Sequence, residues 1–290
     1  MENSQPAFRA LQNRYFTIEY LTQAGPRISA LIPAGTQQNL LARLDDVAWD
    51  TEYGRYLLYG GHRLWAAPEI SEITYFPETT GVHASESGNG VRLWREDHGK
   101  VAYERSIEVK LEEDAPRLHL VHGLRNLSSV PLNAAPWSIS VLPMGAKVRI
   151  PLSKGIITGN ELLPNRSVSF WPYDNLRDAR LSLQNDYVEL SSNPQGEAFK
   201  IGVYSSRGWA AAQVGEWLLV KRFDVREPQN QPDFGANVEA YTNKRFVEIE
   251  LVGELRNLEQ GEFVIHTETW EILHGNLDDL DENGNLPGRK

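Results

Sequence analysis

Short runs in which apolar and polar residues alternate recur along most of the chain, and turn signals separate them. A period of two indicates β-strands, because successive side chains of a strand point to opposite faces of a sheet. The spacing of these runs favours packed antiparallel sheets over alternating strand–helix units. We therefore predict an all-β fold, a large sandwich of two antiparallel sheets. One short helix is predicted over Gln37–Leu44. The strands predicted ahead of the C-terminal region are Tyr15–Thr22, Pro26–Ile32, Gly90–Trp94, Ala102–Leu111, Leu118–Leu124, Trp137–Leu142, Tyr187–Ser191, Ala198–Tyr204 and Trp217–Phe223.

Three further strands are predicted close together in the C-terminal region, over Asn237–Thr242, Phe246–Val252 and Glu262–Ile272. The dipeptide Asn243-Lys244 is typical of a tight turn between the first two strands. In the second strand the apolar residues share one face, and we expect that face to lie against the core: Val247, Ile249 and Leu251.

Acidic residues occupy the opposite face of this second strand. Glu248 and Glu250 are neighbours there, about 7 Å apart. By the same count, Glu239 and Tyr241 share a face of the preceding strand. Together with Asp233, these side chains can converge on one sheet surface. Carboxylates and a tyrosine hydroxyl offer hydrogen bonds to hydroxyl groups, so we predict a site for a polyhydroxyl ligand.

Length and composition permit one large all-β domain with a full hydrophobic core. The chain has 290 residues, of which 41% are hydrophobic, and no linker rich in Gly, Ser or Pro divides it. We predict a single domain over residues 1–274 and a polar, flexible tail over 275–290. The tail contains the sequence DDLDENGN, which matches the start of a calcium loop. The loop's bidentate glutamate is replaced by Lys290, so a solvated tail is the preferred interpretation.

Charge and hydropathy disfavour two kinds of partner. The net charge is −10 and no basic cluster follows the pattern of a phosphate-backbone binder, so we expect no nucleic acid. The N-terminal residues lack a basic segment followed by an apolar one, and no run approaches about 20 apolar residues. We predict a cytoplasmic protein without membrane contact. The eight tryptophans and eleven tyrosines suit the floor of a sugar site, although they also suit a core.

No metal or organic cofactor is predicted. The sequence contains no cysteine, which excludes disulfides, thiolate catalysis and cysteine-based zinc sites. His119 and His122 are three apart on a predicted strand and therefore point to opposite faces. His266 and Glu268 share a face of their strand, but nothing else at motif spacing completes a coordination shell. We expect them to have a structural role.

The segment GGHRLW, residues 60–65, is a second candidate site. Paired glycines let the backbone turn or approach a ligand closely. His62 supplies a titratable imidazole, Arg63 a rigid fork of donors and Trp65 a stacking surface. The alternative is a turn in which Arg63 pairs with a carboxylate such as Glu69. Lys221, further along the chain, can lie beside the acidic face and donate to a hydroxyl group.

With these segments in this order, the chain resembles the galactose mutarotase-like superfamily, which includes the aldose 1-epimerases. The similarity lies in VEAYTN (238–243), FVEIE (246–250), LEQGE (258–262) and HTETW (266–270). The GGHRLW segment is similarly placed to the arginine-bearing segment of that family. The resemblance implies a sandwich of two long antiparallel sheets with a sugar cleft across one of them. It also implies that Arg63 binds the substrate.

The resemblance further implies acid–base chemistry on a sugar hemiacetal. In the family a glutamate takes the proton of the anomeric hydroxyl while a histidine protonates the ring oxygen, and the ring opens. Glu248 or Glu250 fits the glutamate, with Glu248 slightly favoured. The region that matches the histidine segment, 126–142, contains no histidine, and Trp137 stands at about that position. His62 is then the remaining candidate for the acid, and we predict that Trp137 contacts the sugar.

The predicted function is carbohydrate binding, with epimerase or mutarotase activity on an aldose. The missing histidine leaves two alternatives open. One is a sugar-binding module or partner subunit without turnover, and the other is a glycan hydrolase or lyase on the same scaffold. Paired carboxylates about 5–5.5 Å apart suit retaining hydrolysis, but Glu248 and Glu250 lie side by side on one strand. The identity of the sugar, its phosphorylation and the oligomeric state stay open.

Overall fold

The computed structural model describes residues 7–153 and 164–288, which form mainly β-strands. One helical turn, α1 (Ser71–Thr74), and 3-10 turns over Pro228–Asn230, Asp233–Gly235 and Leu277–Asp279 lie between them. The strands are β1 (Phe8–Gln12), β2 (Phe16–Leu21), β3 (Arg27–Pro33), β4 (Arg43–Thr51), β5 (Gly54–Gly60), β6 (His62–Ala67), β7 (His83–Ser87), β8 (Gly90–His98), β9 (Ala102–Leu111), β10 (Arg117–Asn126), β11 (Leu132–Leu142), β12 (Lys147–Pro151), β13 (Val168–Phe170), β14 (Leu181–Leu183), β15 (Tyr187–Ser191), β16 (Phe199–Val203), β17 (Trp209–Val214), β18 (Trp217–Phe223), β19 (Val238–Thr242), β20 (Val247–Val252), β21 (Arg256–Leu258) and β22 (Phe263–His274).

Most of the strands belong to two long sheets. The first sheet has the order β1-β2-β3-β6-β11-β20-β19-β16-β13, and β21 also pairs with β11. The second sheet has the order β14-β15-β12-β17-β18-β22-β10-β9-β8-β7, and β4 and β5 form a separate hairpin. Neighbouring strands around the centre of each sheet run antiparallel. The predicted all-β architecture of two antiparallel sheets is confirmed.

The main hydrophobic core includes apolar side chains from both sheets. Val247, Ile249 and Leu251 of β20 belong to it, as the alternation of this strand predicts. Leu120 of β10 and Ile272 of β22 contribute from the second sheet. Full burial of such a side chain is worth about 1.5–3 kcal/mol, so the register of β20 is firmly fixed. The acidic residues of β20 are thereby directed to the outer face of the first sheet.

The β4–β5 hairpin covers part of that outer face. Tyr56 and Leu58 of β5 form an apolar cluster with Trp65 of β6 and Trp137 of β11. This covering explains why β6 is buried along its whole length although its side chains alternate between the two faces of the sheet. The hairpin and the sheet together create a sheltered space on the outer face.

The paired glycines of GGHRLW allow the backbone conformation at the end of this hairpin. Gly60 and Gly61 have φ of 74° and 69°, where other residues are strained. A Cβ atom at Gly61 would lie 2.2 Å from the carbonyl oxygen of Ile28, so glycine is required for the close approach to β3. The alternative in which GGHRLW is a turn therefore holds only for the glycines, because the residues after them form β6.

A buried group of ionised side chains, which we call the arginine network, connects the two sheets. Its members are Arg27 of β3, Glu78, Arg95 and Asp97 of β8, and Arg105 of β9. Glu78 accepts hydrogen bonds from Arg27 and Arg105, and Asp97 accepts one from Arg105 at 2.6 Å. Arg105 also donates to the backbone oxygen of Leu64 on β6, at 3.1 Å, so this network couples both sheets.

Residues 275–288 lie against the second sheet. Leu277 joins an apolar cluster that contains Trp209, and Arg222 of β18 donates to the backbone oxygen of Gly284 at 2.9 Å. The prediction describes residues 275–290 as a flexible tail. In the structure, apolar side chains anchor residues 275–288 to the second sheet. Lys290 lies outside the described residues. The boundary at residue 274 stays a prediction.

The helix predicted over Gln37–Leu44 is wrong, because this segment is irregular and leads into β4. Within residues 7–153 and 164–288, no three His, Asp or Glu side chains are arranged to hold a metal ion. The same part of the chain contains no helix with the length and apolar character that a membrane span requires.

Candidate functional site

A pocket of about 380 Å³ opens on the outer face of the first sheet, a size typical of small-molecule sites. Side chains of β6, β11, β20, β19 and β16 line it, and the β4–β5 hairpin contributes to its wall. Its aromatic lining consists of Trp49, Trp65, Tyr75, Trp137, Tyr173, Tyr241 and Phe246. Its polar lining consists of Arg63, Glu69, Lys200, Asn243, Arg245, Glu248 and Glu250.

Arg63 and Glu248 form a buried ion pair in this pocket. Nη2 of Arg63 lies 2.9 Å from Oε1 of Glu248, and its guanidinium lies 4.0 Å from the ring centre of Trp65. The Arg63 side chain is 2% exposed, yet its Nε and Nη1 have no hydrogen-bond partner. Burial raises the pKa of Glu248, while Arg63 opposes this shift. The site therefore combines a carboxyl group of raised pKa with unused guanidinium donors.

A second ion pair lies beside the first. Nζ of Lys200 is 3.1 Å from Oε2 of Glu250 and 2.7 Å from Oε2 of Glu239. Nε1 of Trp137 donates to the same oxygen of Glu250 at 2.8 Å. The Lys200 ammonium also lies 4.2 Å from the ring centre of Trp137, a cation–π distance. These contacts fix the orientation of Trp137 in the pocket lining.

The strand pairing explains how these side chains meet. In β19 and β20, Glu239 is opposite Glu250 and Tyr241 is opposite Glu248. Residues directly opposite in an antiparallel pair share a face, so all four side chains lie on the outer side of the sheet. Lys200 of β16 is opposite Tyr241 and extends the same surface.

The structure brings together most of the residues predicted for the site. Six of them line the pocket: Arg63, Trp65, Trp137, Tyr241, Glu248 and Glu250. Glu239 lies behind Lys200 and is fully buried. Asp233 is half-buried in the 3-10 turn before β19, where its backbone oxygen accepts a bond from Ser169 at 3.0 Å, and it does not line the pocket.

The prediction that His62 acts as the acid in the same site is not supported by its position. His62 is adjacent to Arg63 on β6, so its side chain points to the opposite face of the sheet, into the space between the sheets. Its Nδ1 lies 2.9 Å from Oγ of Ser140, and its Nε2 lies 2.7 Å from Nε2 of His122. Among the residues that the structure describes, no histidine lines the pocket.

Lys221 also belongs to this interior group, which we call the histidine cluster: His62, His122, Lys221, His266 and Glu268. Nζ of Lys221 is 3.5 Å from Oε2 of Glu268 and 4.7 Å from the ring centre of Trp270. Burial lowers the pKa of His62, His266 and Lys221. The prediction that Lys221 lies beside the acidic face is wrong, because β18 belongs to the second sheet and Lys221 faces the interior.

Lys200 and Tyr75 are pocket residues that the sequence analysis missed, and Glu69 entered it only as a partner of Arg63, which pairs with Glu248 instead. Lys200 stands in the apolar strand FKIGV, and a lysine in such a strand is a signal for a buried partner of opposite charge. Tyr75 donates to Glu69, and its ring packs edge-on against Trp65 at 5.1 Å between ring centres. These two residues lie in irregular segments without a periodic pattern, so the sequence offers no comparable signal for them.

Comparison with known proteins gives matches in structure only. No protein-family model matches the sequence, and no curated protein matches it either. A galactose mutarotase-like protein from Lactobacillus casei ATCC 334 superimposes with a TM-score of 0.59 at 10% identity, over 92% of this chain and 100% of that chain. A galactose mutarotase related enzyme from Lactobacillus acidophilus gives a TM-score of 0.59 at 8% identity, over 93% of this chain and 99% of that chain.

A TPR-domain containing protein from Parabacteroides distasonis ATCC 8503 also matches, with a TM-score of 0.65 at 13% identity. The match covers 98% of this chain and 48% of that chain, so the shared fold is one part of a longer protein there. At these identities the similarities establish the fold. This chain has the galactose mutarotase-like fold, as the sequence resemblance predicted.

Proposed function

We propose that this protein binds one neutral sugar ring in the pocket on the outer face of the first sheet. The observation that carries the proposal is Arg63, which is buried in the pocket lining and has unused donors on Nε and Nη1. A buried donor without a partner is costly, and a ligand hydroxyl supplies the missing acceptor. Glu248, bound to the other end of the guanidinium, accepts a hydrogen bond from a hydroxyl group in turn.

The aromatic rings support a sugar rather than a small polar ion. Trp65 and Trp137 lie 5.5 Å apart between ring centres, and Tyr241 also lines the pocket. The C–H faces of a pyranose ring stack on such surfaces, while its hydroxyl groups reach the polar residues between them.

The charge balance of the pocket favours an uncharged sugar. Arg63 is neutralised by Glu248, and Lys200 by Glu250 and Glu239. Arg245, at the turn between β19 and β20, pairs with Asp46 at 2.5 Å. Each cation of the pocket lining thus has a carboxylate partner, and a sugar phosphate would have to displace one of them.

A second candidate function is the exchange of sugar anomers. Glu248 favours it, because a carboxyl group of raised pKa beside a bound hemiacetal suits proton removal from the anomeric hydroxyl. The similar fold of galactose mutarotase-like proteins is consistent with this activity. A glycan hydrolase is less well supported, because Glu248 and Glu250 stand on one strand and do not flank a bond.

Binding can be tested with a thermal-shift and calorimetry screen against neutral aldoses, uronic acids and sugar phosphates. A ligand at 100 times its Kd adds about 2.7 kcal/mol to the folded state, which is readily visible in Tm. We expect neutral aldoses to bind and their phosphates to bind more weakly. The absence of any sugar ligand would contradict the proposal, and tighter binding of a phosphate than of its parent sugar would contradict the neutral class.

The variant Arg63→Lys is expected to weaken binding of the sugar found in this screen about tenfold. Lysine keeps the charge beside Glu248, but it lacks the fork that presents Nε and Nη1 to the ligand. Arg55→Lys is the matched control, because Arg55 is 66% exposed on β5 and does not line the pocket. Calorimetric titration of both variants checks the prediction, and equal affinities would remove Arg63 from the binding role.

A further inference from the structure

The buried polar group formed by the pocket floor and by Glu239 behind Lys200 contains more carboxyl groups than cations. Glu239, Glu248 and Glu250 lie on one side of the sheet with Arg63 and Lys200, and all five side chains are buried. If every group were ionised, this buried set would carry one unbalanced negative charge. An unpaired buried charge is strongly unfavourable, and a carboxyl group in that situation takes up a proton instead. The composition of the set therefore calls for one bound proton.

The contacts indicate where that proton resides. Glu248 accepts a hydrogen bond from Arg63, and Glu250 accepts one from Trp137 and lies close to Lys200. Glu239 is 0% exposed, and the one cation that pairs with it in the described part of the chain is Lys200, which it shares with Glu250. Within the described residues, neither oxygen of Glu239 accepts a well-aligned hydrogen bond. Burial raises the pKa of Glu239 well above its usual range, in agreement with this geometry.

Among residues 7–153 and 164–288, the charged groups around this set do not supply the missing positive charge. Asp233, half-buried before β19, adds negative potential at Glu239. Asp174, beside β16, accepts hydrogen bonds from the backbone of Lys200 and Trp171. Glu69 is exposed at the pocket edge, and Arg245 is engaged by Asp46. The neighbours therefore strengthen the tendency of Glu239 to stay protonated.

We propose that Glu239 stores one exchangeable proton at neutral pH and delivers it through Lys200 to Glu250, which then acts as the acid toward the ring oxygen of the sugar. This inference rests on the proposed anomer exchange. It assigns the acid role to the Glu239–Lys200–Glu250 group, since no histidine lines the pocket among the residues that the structure describes. Glu250 lines the pocket and is the catalytic acid, whereas Glu239 acts through Lys200 and does not touch the sugar.

The exchange balances in protons and electrons. The Lys200 ammonium gives a proton to Glu250 and takes one from Glu239. Glu248 takes the proton of the anomeric hydroxyl, the C1–ring oxygen bond breaks, and a carbonyl forms at C1. The electron pair of the broken bond goes to the ring oxygen, which receives the proton of Glu250. After rotation about C1–C2, the same steps in reverse close the other anomer and restore all carboxyl groups.

The stored proton can be tested without any sugar. We expect the infrared spectrum of the wild-type protein at neutral pH to show the C=O band of a protonated carboxyl group. Glu239→Gln should remove this band and leave the fold intact, because glutamine is close in shape to a neutral glutamic acid. Glu108→Gln, an exposed control on β9, should not change the band. A missing band in the wild type, or a band that persists in Glu239→Gln, would overturn the storage site.

The catalytic half of the proposal needs a separate measurement. Anomer exchange, followed by magnetic-resonance exchange spectroscopy on the sugar found by calorimetry, should be about 100-fold slower in Glu239→Gln, with Kd unchanged. The acid limb of the pH–rate profile should change, which a merely structural role would not produce. If Glu239→Gln does not fold, titration of the wild-type carboxyl band against pH decides the question of the proton. Sugar binding without exchange in the wild type would overturn the acid role and leave the binding proposal standing, and loss of both would overturn the proposed function itself.

Discussion

Acidification from about pH 7 to about pH 4.5 is expected to destabilise this protein by several kcal/mol, before most surface carboxylates are protonated. The cause is the histidine cluster between the sheets. Burial lowers the pKa of His122 to about 4, lowers that of His62 well below its usual range, and also lowers that of His266. Nε2 of His62 and Nε2 of His122 are 2.7 Å apart, so one must donate and the other accept. Protonation of both would place two cationic N–H groups face to face.

The direction of the effect follows from proton linkage. A histidine with a lowered pKa in the folded state binds its proton more readily when unfolded, where its pKa is about 6.5. The neutral histidine makes its full contribution to the free energy of unfolding above the unfolded pKa of about 6.5. This contribution is lost as the pH falls toward the lower pKa of the folded state. His122 alone accounts for a loss of about 2–3 kcal/mol by about pH 4.5, and His62 and His266 add losses of the same sign. Such a sum is a large part of the stability of a typical domain.

Urea unfolding at a series of pH values measures this loss. His122→Gln should reduce the pH dependence by about one proton, because a neutral amide replaces the imidazole. His119→Gln is the matched control from the same strand, since His119 faces outward and is exposed. A free energy of unfolding that stays constant from neutral to weakly acidic pH would contradict the expectation.

Glu78→Gln is expected to lower the free energy of unfolding by about 3–5 kcal/mol at neutral pH. Glu78 is the carboxylate shared by Arg27 and Arg105 in the arginine network, and it is fully buried. Although burial raises the pKa of Glu78, Arg105 and Arg27 lower it to about 2. The amide cannot neutralise the two guanidinium groups, which would remain buried, and Asp97 would still pair with Arg105.

Glu72→Gln provides the comparison, because Glu72 pairs with Lys100 at 3.0 Å and its side chain is 40% exposed. An exposed pair of this kind contributes less than about 1 kcal/mol. Denaturant titration of both variants and the wild type measures the difference. Similar small effects for the two substitutions would show that the arginine network is not a major determinant of stability.

The acidic surface of the site could be predicted because it depends only on strand periodicity. Tyr241 and Glu248, and likewise Glu239 and Glu250, are cross-strand partners, and the short turn at Asn243 fixes this register. Period-two alternation then determines which side chains share a face. The same rule would have separated His62 from Arg63 if residues 62–67 had been identified as a strand. The glycines before them indicate a turn instead, because they permit conformations that other residues avoid.

Other parts of the site depend on which strands meet, and local patterns do not contain that information. Lys200 and Lys221 both stand in buried, largely apolar strands, and each has a glutamate partner. Lys200 lies in the first sheet and faces the pocket, whereas Lys221 lies in the second sheet and faces the interior. The order of strands in each sheet, set by long-range pairing, decides between the two environments.

Strand β11 offers a practical route to redesign. Trp137 and Ile139 point to the pocket, whereas Ser138 and Ser140 point inward and bond to Glu268 and His62. We expect a combinatorial library at Trp137 and Ile139 to change the preference for the proposed ligand and to leave the interior chemistry as it is. A library at the even-numbered positions would instead tune acid tolerance. Ligand preference and acid tolerance are therefore expected to depend on alternating positions of this one eleven-residue strand, so that each can be varied separately.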